Sequence, residues 1–232
     1  MMPGDGFASA LGLLLSGDQD LLRVIGRSLG ISFAATGMAA LIGVPGGALL
    51  AVLRFPGRRG AVVVINALLG LPPVVVGLAL YLLLSRSGPL GGWGLLFTPG
   101  AMVLAQVILA APIVAALTHR AMEAAWALYG DELQMDGAGW LRAVPVLLRT
   151  APGPVLTAVL AGFGRTVSEV GAVLIVGGNI AGVTRTMTTA VALETSRGNL
   201  GSALALGAVL VGISLGVSGV AFAVAGRTGR RG

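Results

Sequence analysis

Residues 29 to 53 run for twenty-five positions without one charged side chain, and further long apolar stretches lie at about 61–84, 100–117, 154–176 and 200–224. Crossing a bilayer core takes about 20 apolar residues in a helix, so each stretch has the length of a membrane span. The chain is 56% hydrophobic and 10% charged, against about 25% charged in soluble domains. Its mean hydropathy is +0.94. The pattern predicts an all-α integral membrane protein of five spans, in which 38 glycines let helices approach closely.

Smaller signals refine this plan. Residues 7–15 are apolar but too short to span, and predict a helix lying in the interface. The opening residues carry no positive charge, so a cleaved signal peptide is not expected. Gly43 and Gly47 form a small-x-x-x-small pair in the first span. Pro72 and Pro73 remove two helical donors from the second, which should break there. Lipid cannot satisfy the carbonyls so freed, and the break should face protein or a watery path. The expected organisation is an extracytoplasmic segment 1–28, a transmembrane domain 29–224 and an arginine-rich cytoplasmic tail 225–232.

Charge sets the expected topology. All 15 basic residues are arginines. They lie between apolar runs rather than with aromatics on one polar face, which argues against nucleic acid and for topology signals. With the tail inside, Arg54, Arg58, Arg59, Arg120, Arg142, Arg149, Arg227, Arg230 and Arg231 face the cytoplasm. Arg23, Arg27, Arg86, Arg185 and Arg197 lie outside. That distribution obeys the positive-inside rule, and the inverted one does not.

The one long polar interruption, 119–150, then falls in the cytoplasm. It holds four of the nine acidic residues: Glu123, Asp131, Glu132 and Asp136. The third helix should extend past the membrane and end at Gly130. Asp131 is placed to cap a short helix, with Gln134 three residues on. That helix stops at Gly137, and the chain becomes helical again near Gly139 and Trp140 as far as Pro145. The segment 131–140 (Asp131, Glu132, Leu133, Gln134, Met135, Asp136, Gly137, Ala138, Gly139, Trp140) is either a knob for a partner's groove or a solvated connection.

In the fourth stretch, Arg165 and Glu169 are four residues apart, on one face of the expected helix. Charges at membrane depth face a bundle interior or a water-filled path. The two readings are an ion pair tying helices together and a lining of the path with Ser168, Gly164 and Gly171. Hydroxyls and freed backbone N–H groups bind a dianion without the trap a strong cation would create. Pro72, Pro73, Gly177 and Gly178 are candidates for that path or its gate, against the plainer reading of each as helix packing or a turn. Arg185 with Thr186, Thr188 and Thr189 reads as a gate receiving an anion, or as an interfacial helix with solvated hydroxyls.

Several motifs together resemble the membrane subunit of bacterial ATP-binding-cassette importers for tetrahedral oxyanions. Residues 70–77 (GLPPVVVG) and 85–91 (SRSGPLG) look like molybdate and tungstate permeases in general. Residues 162–165 (GFGR), 168–172 (SEVGA), 177–180 (GGNI), 184–189 (TRTMTT) and 193–196 (LETS) look most like the tungstate-type branch, as does 16–18 (SGD). The resemblance implies the five-helix type I importer (MetI-like) fold, preceded by the interfacial helix. It also implies a cytoplasmic loop with a Glu-Ala-Ala motif and a glycine after it, whose coupling helix docks on an ATPase. The literal Glu123-Ala124-Ala125 stands one residue too far from Gly130. The register that fits Gly137-Ala138 puts Asp131-Glu132-Leu133 in the motif's place and makes 123–125 a helix extension.

The implied assembly is two copies of this chain, two ATPase subunits and an extracytoplasmic oxyanion-binding protein in the cytoplasmic (inner) membrane. The anion is tungstate, with molybdate, sulfate or vanadate as alternatives. The chain has no lysine, so a Gly-x-x-x-x-Gly-Lys phosphate loop is impossible. ATP and magnesium belong on the partner, and no cofactor is expected here. An intramembrane enzyme is disfavoured by the absence of cysteine and by a lone histidine, His119, at a membrane edge. A self-sufficient ion-coupled transporter is disfavoured by five spans with no inverted repeat.

Overall fold

The computed structural model describes residues 19–136 and 139–228. The interfacial helix expected at 7–15 and the Gly137-Ala138 pair lie outside the described residues. Among those described the chain is helical with no strand: α1 (Gln19–Val52), α2 (Arg58–Leu68), α3 (Pro73–Leu84), α4 (Pro99–Met135), α5 (Trp140–Thr150), α6 (Pro152–Val167), α7 (Gly171–Gly177), α8 (Met187–Ser196) and α9 (Leu200–Thr228). One 3-10 turn, Gly91–Trp93, lies in the loop before α4.

By length and apolarity, α1, α4 and the Leu200–Gly219 part of α9 can each cross a membrane, and the total reaches five if each of the bent pairs α2–α3 and α5–α6 counts as one span. The break in the second span sits where the two prolines require it. Pro72 is extended (φ −67°, ψ 123°) and Pro73 opens α3 at its first position, where a missing N–H costs nothing. The Pro72 carbonyl takes the amides of Val75 and Val76 at 3.1 and 3.2 Å.

Three expectations about helix continuity need correction. The fourth apolar stretch is not one helix: α6 ends at Val167 and α7 begins at Gly171. Glu169 lies in the gap, where its Oε1 accepts the Ala172 amide at 3.0 Å and so caps α7. Arg165 and Glu169 therefore share no continuous helical face. The third helix does not end at Gly130, and Asp131 caps nothing, because α4 runs on to Met135. A lone glycine costs a helix only about 1 kcal/mol, and the Gln134 side chain closes back on the Gly130 carbonyl at 3.1 Å. Finally, α5 passes through Pro145 to Thr150, because its apolar side is buried on both sides of the proline.

The chain divides into two compact units. Described residues 19–35, 72–106 and 166–217 form one, and 36–71, 107–165 and 218–228 the other. In the first unit α3 lies directly on α7: a Cβ on Gly77 would sit 2.8 Å from the Ala172 Cα. In the second, α1 lies on α4 through Gly43 and Gly47, as the pair predicts. A Cβ on Gly43 would meet Val114 Cβ at 2.8 Å, and one on Gly47 would run into the Ala115 carbonyl. The core of this unit joins Ala48, Ala51 and Val52 of α1, Met122 and Ala125 of α4, and Ala143, Val144 and Leu147 of α5.

Candidate functional site

Two places concentrate the polar chemistry, one in each unit. The first is the joint between α4 and α5. Ala143, Val144 and Leu147 face inward at helical spacing, which fixes α5 along the ends of α1 and α4. The α5–α6 connection turns by 86°, with Ala151 in an irregular conformation and Pro152 opening α6.

Aromatic packing holds the joint. The Trp126 and Trp140 rings are stacked with centroids 5.9 Å apart, and the Arg54 guanidinium lies 5.7 Å from the Trp140 ring centroid. Gly130 is what lets Trp126 lie flat, since a Cβ there would be 3.0 Å from its Cε2. The glycine read as a helix stop is a packing site.

Arg58 fastens the other side. It donates to the carbonyls of Leu50 at 2.8 Å and Ala51 at 3.3 Å, in the last turn of α1, a favourable place for a cation. It also pairs with Glu123 at 3.1 Å, and its Nη2 is 3.5 Å from the Nε2 of buried His119. Residues 123–125 lie inside α4 as a helix extension, and Glu123 anchors the α1–α2 corner.

What the joint presents outward is mixed. Leu128 is 74% and Met135 80% exposed, and they share a face of α4 with exposed Asp131 and Glu132, at spacings of three, four and seven. Gln134 and Asp136 are exposed, Leu133 packs inward against the core, and Gly139 is the N-cap of α5. Two large apolar side chains flanked by carboxylates on a projecting helix end make a surface suited to a partner.

The second place is the interior of the other unit. Ser28, Ser32, Gln106, Thr166, Thr186 and Thr188 line a cavity of about 10 Å³ with Val167, Met187 and Leu210, room for about one water molecule. Its walls are stitched by hydrogen bonds. Ser28 Oγ accepts the Met187 amide at 2.7 Å, Gln106 Nε2 donates to the Thr166 carbonyl at 2.9 Å, and Thr188 Oγ1 donates to the Glu169 carbonyl at 2.9 Å. Gln106 Oε1 is buried with no hydrogen-bond partner among the described residues. Among the described residues no group of three or more histidine, cysteine or carboxylate side chains is arranged to hold a metal.

None of the remaining predicted residues lines this cavity. Glu169 is 3% exposed; Ser168 is exposed and Arg165, in the last turn of α6, is half-buried. Pro73 and Gly171 face each other across the α3–α7 contact, where a Cβ on Gly171 would be 3.7 Å from Pro73 Cβ; Pro72 is exposed. Gly177 ends α7 against Met102, and Gly178 turns the chain in the left-handed region (φ 69°). Arg185 donates to Asn179 Oδ1 at 3.4 Å, and its carbonyl accepts from Arg27 at 3.2 Å.

The threonines do not carry solvated hydroxyls. Thr186, Thr188 and Thr189 are each no more than 7% exposed, and Thr186 and Thr189 form a reciprocal capping box that starts α8. Sequence reasoning singled out none of Ser28, Ser32, Gln106 and Thr166. Their signal was available: isolated hydroxyl or amide side chains within or beside apolar runs.

An all-α chain with up to five membrane-length helical passes, a polar interior and an exposed helical joint has the form of a transport permease. Residues 43–230 match the family of binding-protein-dependent transport system inner membrane components, and the chain belongs to that family, whose members are transport components rather than enzymes. It is 40% identical over 218 residues to a probable anion ABC transporter permease protein of Haloferax volcanii, covering 91% of this chain and 94% of the relative. The tungstate uptake system permease protein TupB of Peptoclostridium acidaminophilum is 37% identical over 224 residues, 95% and 96% of the two chains. That of Campylobacter jejuni is 39% identical over 207 residues, 89% and 87%.

Proposed function

We propose that this chain is the permease of an ATP-driven tungstate importer. Two copies form the translocation path, each docked through its α4–α5 joint on a separate ATPase subunit that carries the ATP and magnesium. An extracytoplasmic binding protein delivers the oxyanion. The amino terminus lies outside and the carboxyl terminus in the cytoplasm, the orientation that the arginine distribution supports.

The observation that carries this reading is the hydroxyl-lined interior, taken with whole-chain similarity to two tungstate permeases. Neutral donors suit a dianion that must bind briefly and leave. The cavity of about 10 Å³ is too small for a tetrahedral oxyanion, so passage needs a second state with this unit opened. ATP binding drives the exchange only through different stabilities of the two states in the partner's presence.

The decisive experiment reconstitutes the permease with its ATPase and binding protein in liposomes and follows uptake. ATP-dependent entry of tungstate, outcompeting equal molybdate and sulfate, is the expected result. Preference for molybdate or sulfate would refute the tungstate assignment. Transport by the chain alone would refute the ABC assembly. A reporter fused after Gly232 tests the orientation and should score cytoplasmic.

A further inference from the structure

We infer that the corner between α1 and α2 is a binding site for the phosphate headgroup of an anionic phospholipid. Arg54, Phe55, Gly57, Arg58 and Arg59 surround an open hollow of about 340 Å³. Three arginines border this one hollow, and among the described residues the only carboxylate paired with any of them is Glu123, on Arg58. Arg58 is committed to the α1 carbonyls and Glu123. Arg54 touches only the face of Trp140, which leaves its N–H donors unused among the described residues. Arg59 is exposed and makes no hydrogen bond or ion pair to any described residue.

Helix polarity sharpens the imbalance. Arg58 and Arg59 occupy the first turn of α2, which has no acidic residue there. That is the positive end of the helix dipole, where cations are disfavoured and anions are stabilised.

The same helix indicates which anion. Val63 is 66% and Val64 56% exposed on α2, Phe55 at the hollow is 43% exposed, and α2 has no buried residue. Together with α3 it is apolar enough to belong to a membrane span. A phosphodiester held by Arg54 and Arg59 would have an acyl chain along Val63, one helical turn after Arg59 on the same face of α2, which a free phosphate leaves uncovered and an acidic protein surface would not match.

The test uses the full chain, purified in a neutral detergent and titrated with phosphatidylglycerol or phosphatidylcholine, with bound lipid counted by native mass spectrometry. Phosphatidylglycerol should be retained in preference to phosphatidylcholine. The pair Arg54→Gln/Arg59→Gln should weaken its retention about 30-fold, since each arginine near an anionic headgroup contributes about a factor of five. The pair Arg23→Gln/Arg86→Gln, with equal loss of charge elsewhere, should bind as the parent does. Arg59→Gln alone, at an exposed position, should weaken retention about fivefold and serves if the double variant misfolds. Undiminished retention by the Arg54/Arg59 variants, or equal loss in the control pair, would overturn the site. Displacement of the lipid by millimolar inorganic phosphate would overturn the lipid assignment in favour of a free phosphoanion.

Discussion

The indole of Trp126, in α4, is stacked on that of Trp140, the first residue of α5, with ring planes 23° apart. The contact spans the turn between the two helices and fixes how the exposed end of α4 projects. An aromatic pair of this kind contributes about 0.5–1.5 kcal/mol beyond its buried area. Trp140→Ala should therefore lower the melting temperature by only a few degrees while reducing uptake by the reconstituted complex severalfold. Stability and uptake falling in proportion would mean that the pair serves folding alone.

Close packing of α1 on α4 gives a paired test. A methyl group on Gly47 would enter the space of the Ala115 carbonyl, whereas one on the adjacent Gly46 has nothing within 4 Å. Gly47→Ala should cost about 1–3 kcal/mol or more, as overpacking does. Gly46→Ala should be neutral or stabilise by up to about 1 kcal/mol through helix propensity. Thermal unfolding in detergent measures both, and equal effects would contradict the contact.

Arg58 should matter more than the carboxylate it pairs with. Its bonds to Leu50 and Ala51 close the end of α1, while Glu123 has a side chain 55% exposed, where an ion pair is worth at most about 1 kcal/mol. Arg58→Gln should lose about 1.5–3 kcal/mol, and Glu123→Gln less than half of that. The reverse order in unfolding experiments would show that the ion pair, not the carbonyl bonds, holds this corner.

Glu169 acts on α7 through its carboxylate oxygen. Glu169→Ala removes the acceptor of the buried Ala172 amide and should cost about 1–3 kcal/mol. Glu169→Gln keeps an oxygen there and should recover part of the loss. If the two substitutions are equally harmful, the charge rather than the cap is what the fold needs.

These cases also show where sequence reasoning succeeds and where it stops. Apolar length, the Gly43/Gly47 pair and the Pro72-Pro73 break were legible because each has one local cause: solvent, backbone clearance or a missing donor. Gly130 was misread because a glycine that ends a helix and one that admits an indole are identical locally. Only Trp126 lying on it decides between them. Glu169 was misread because the capped break depends on the Ala172 amide and on Thr188, nineteen residues ahead in the sequence. Ser28, Ser32, Gln106 and Thr166 were missed because they are scattered singly along the chain and meet Thr186 and Thr188 only when it folds.

The central claim is that a separate ATPase drives this permease through the exposed face formed by Leu128, Asp131, Glu132 and Met135. Its most direct test is the ratio of anion taken up to ATP hydrolysed in the reconstituted complex, for the parent and for Asp131→Ala/Glu132→Ala. The substituted complex should stay in the membrane and hydrolyse ATP while its uptake per ATP falls at least tenfold. An unchanged ratio would contradict that claim.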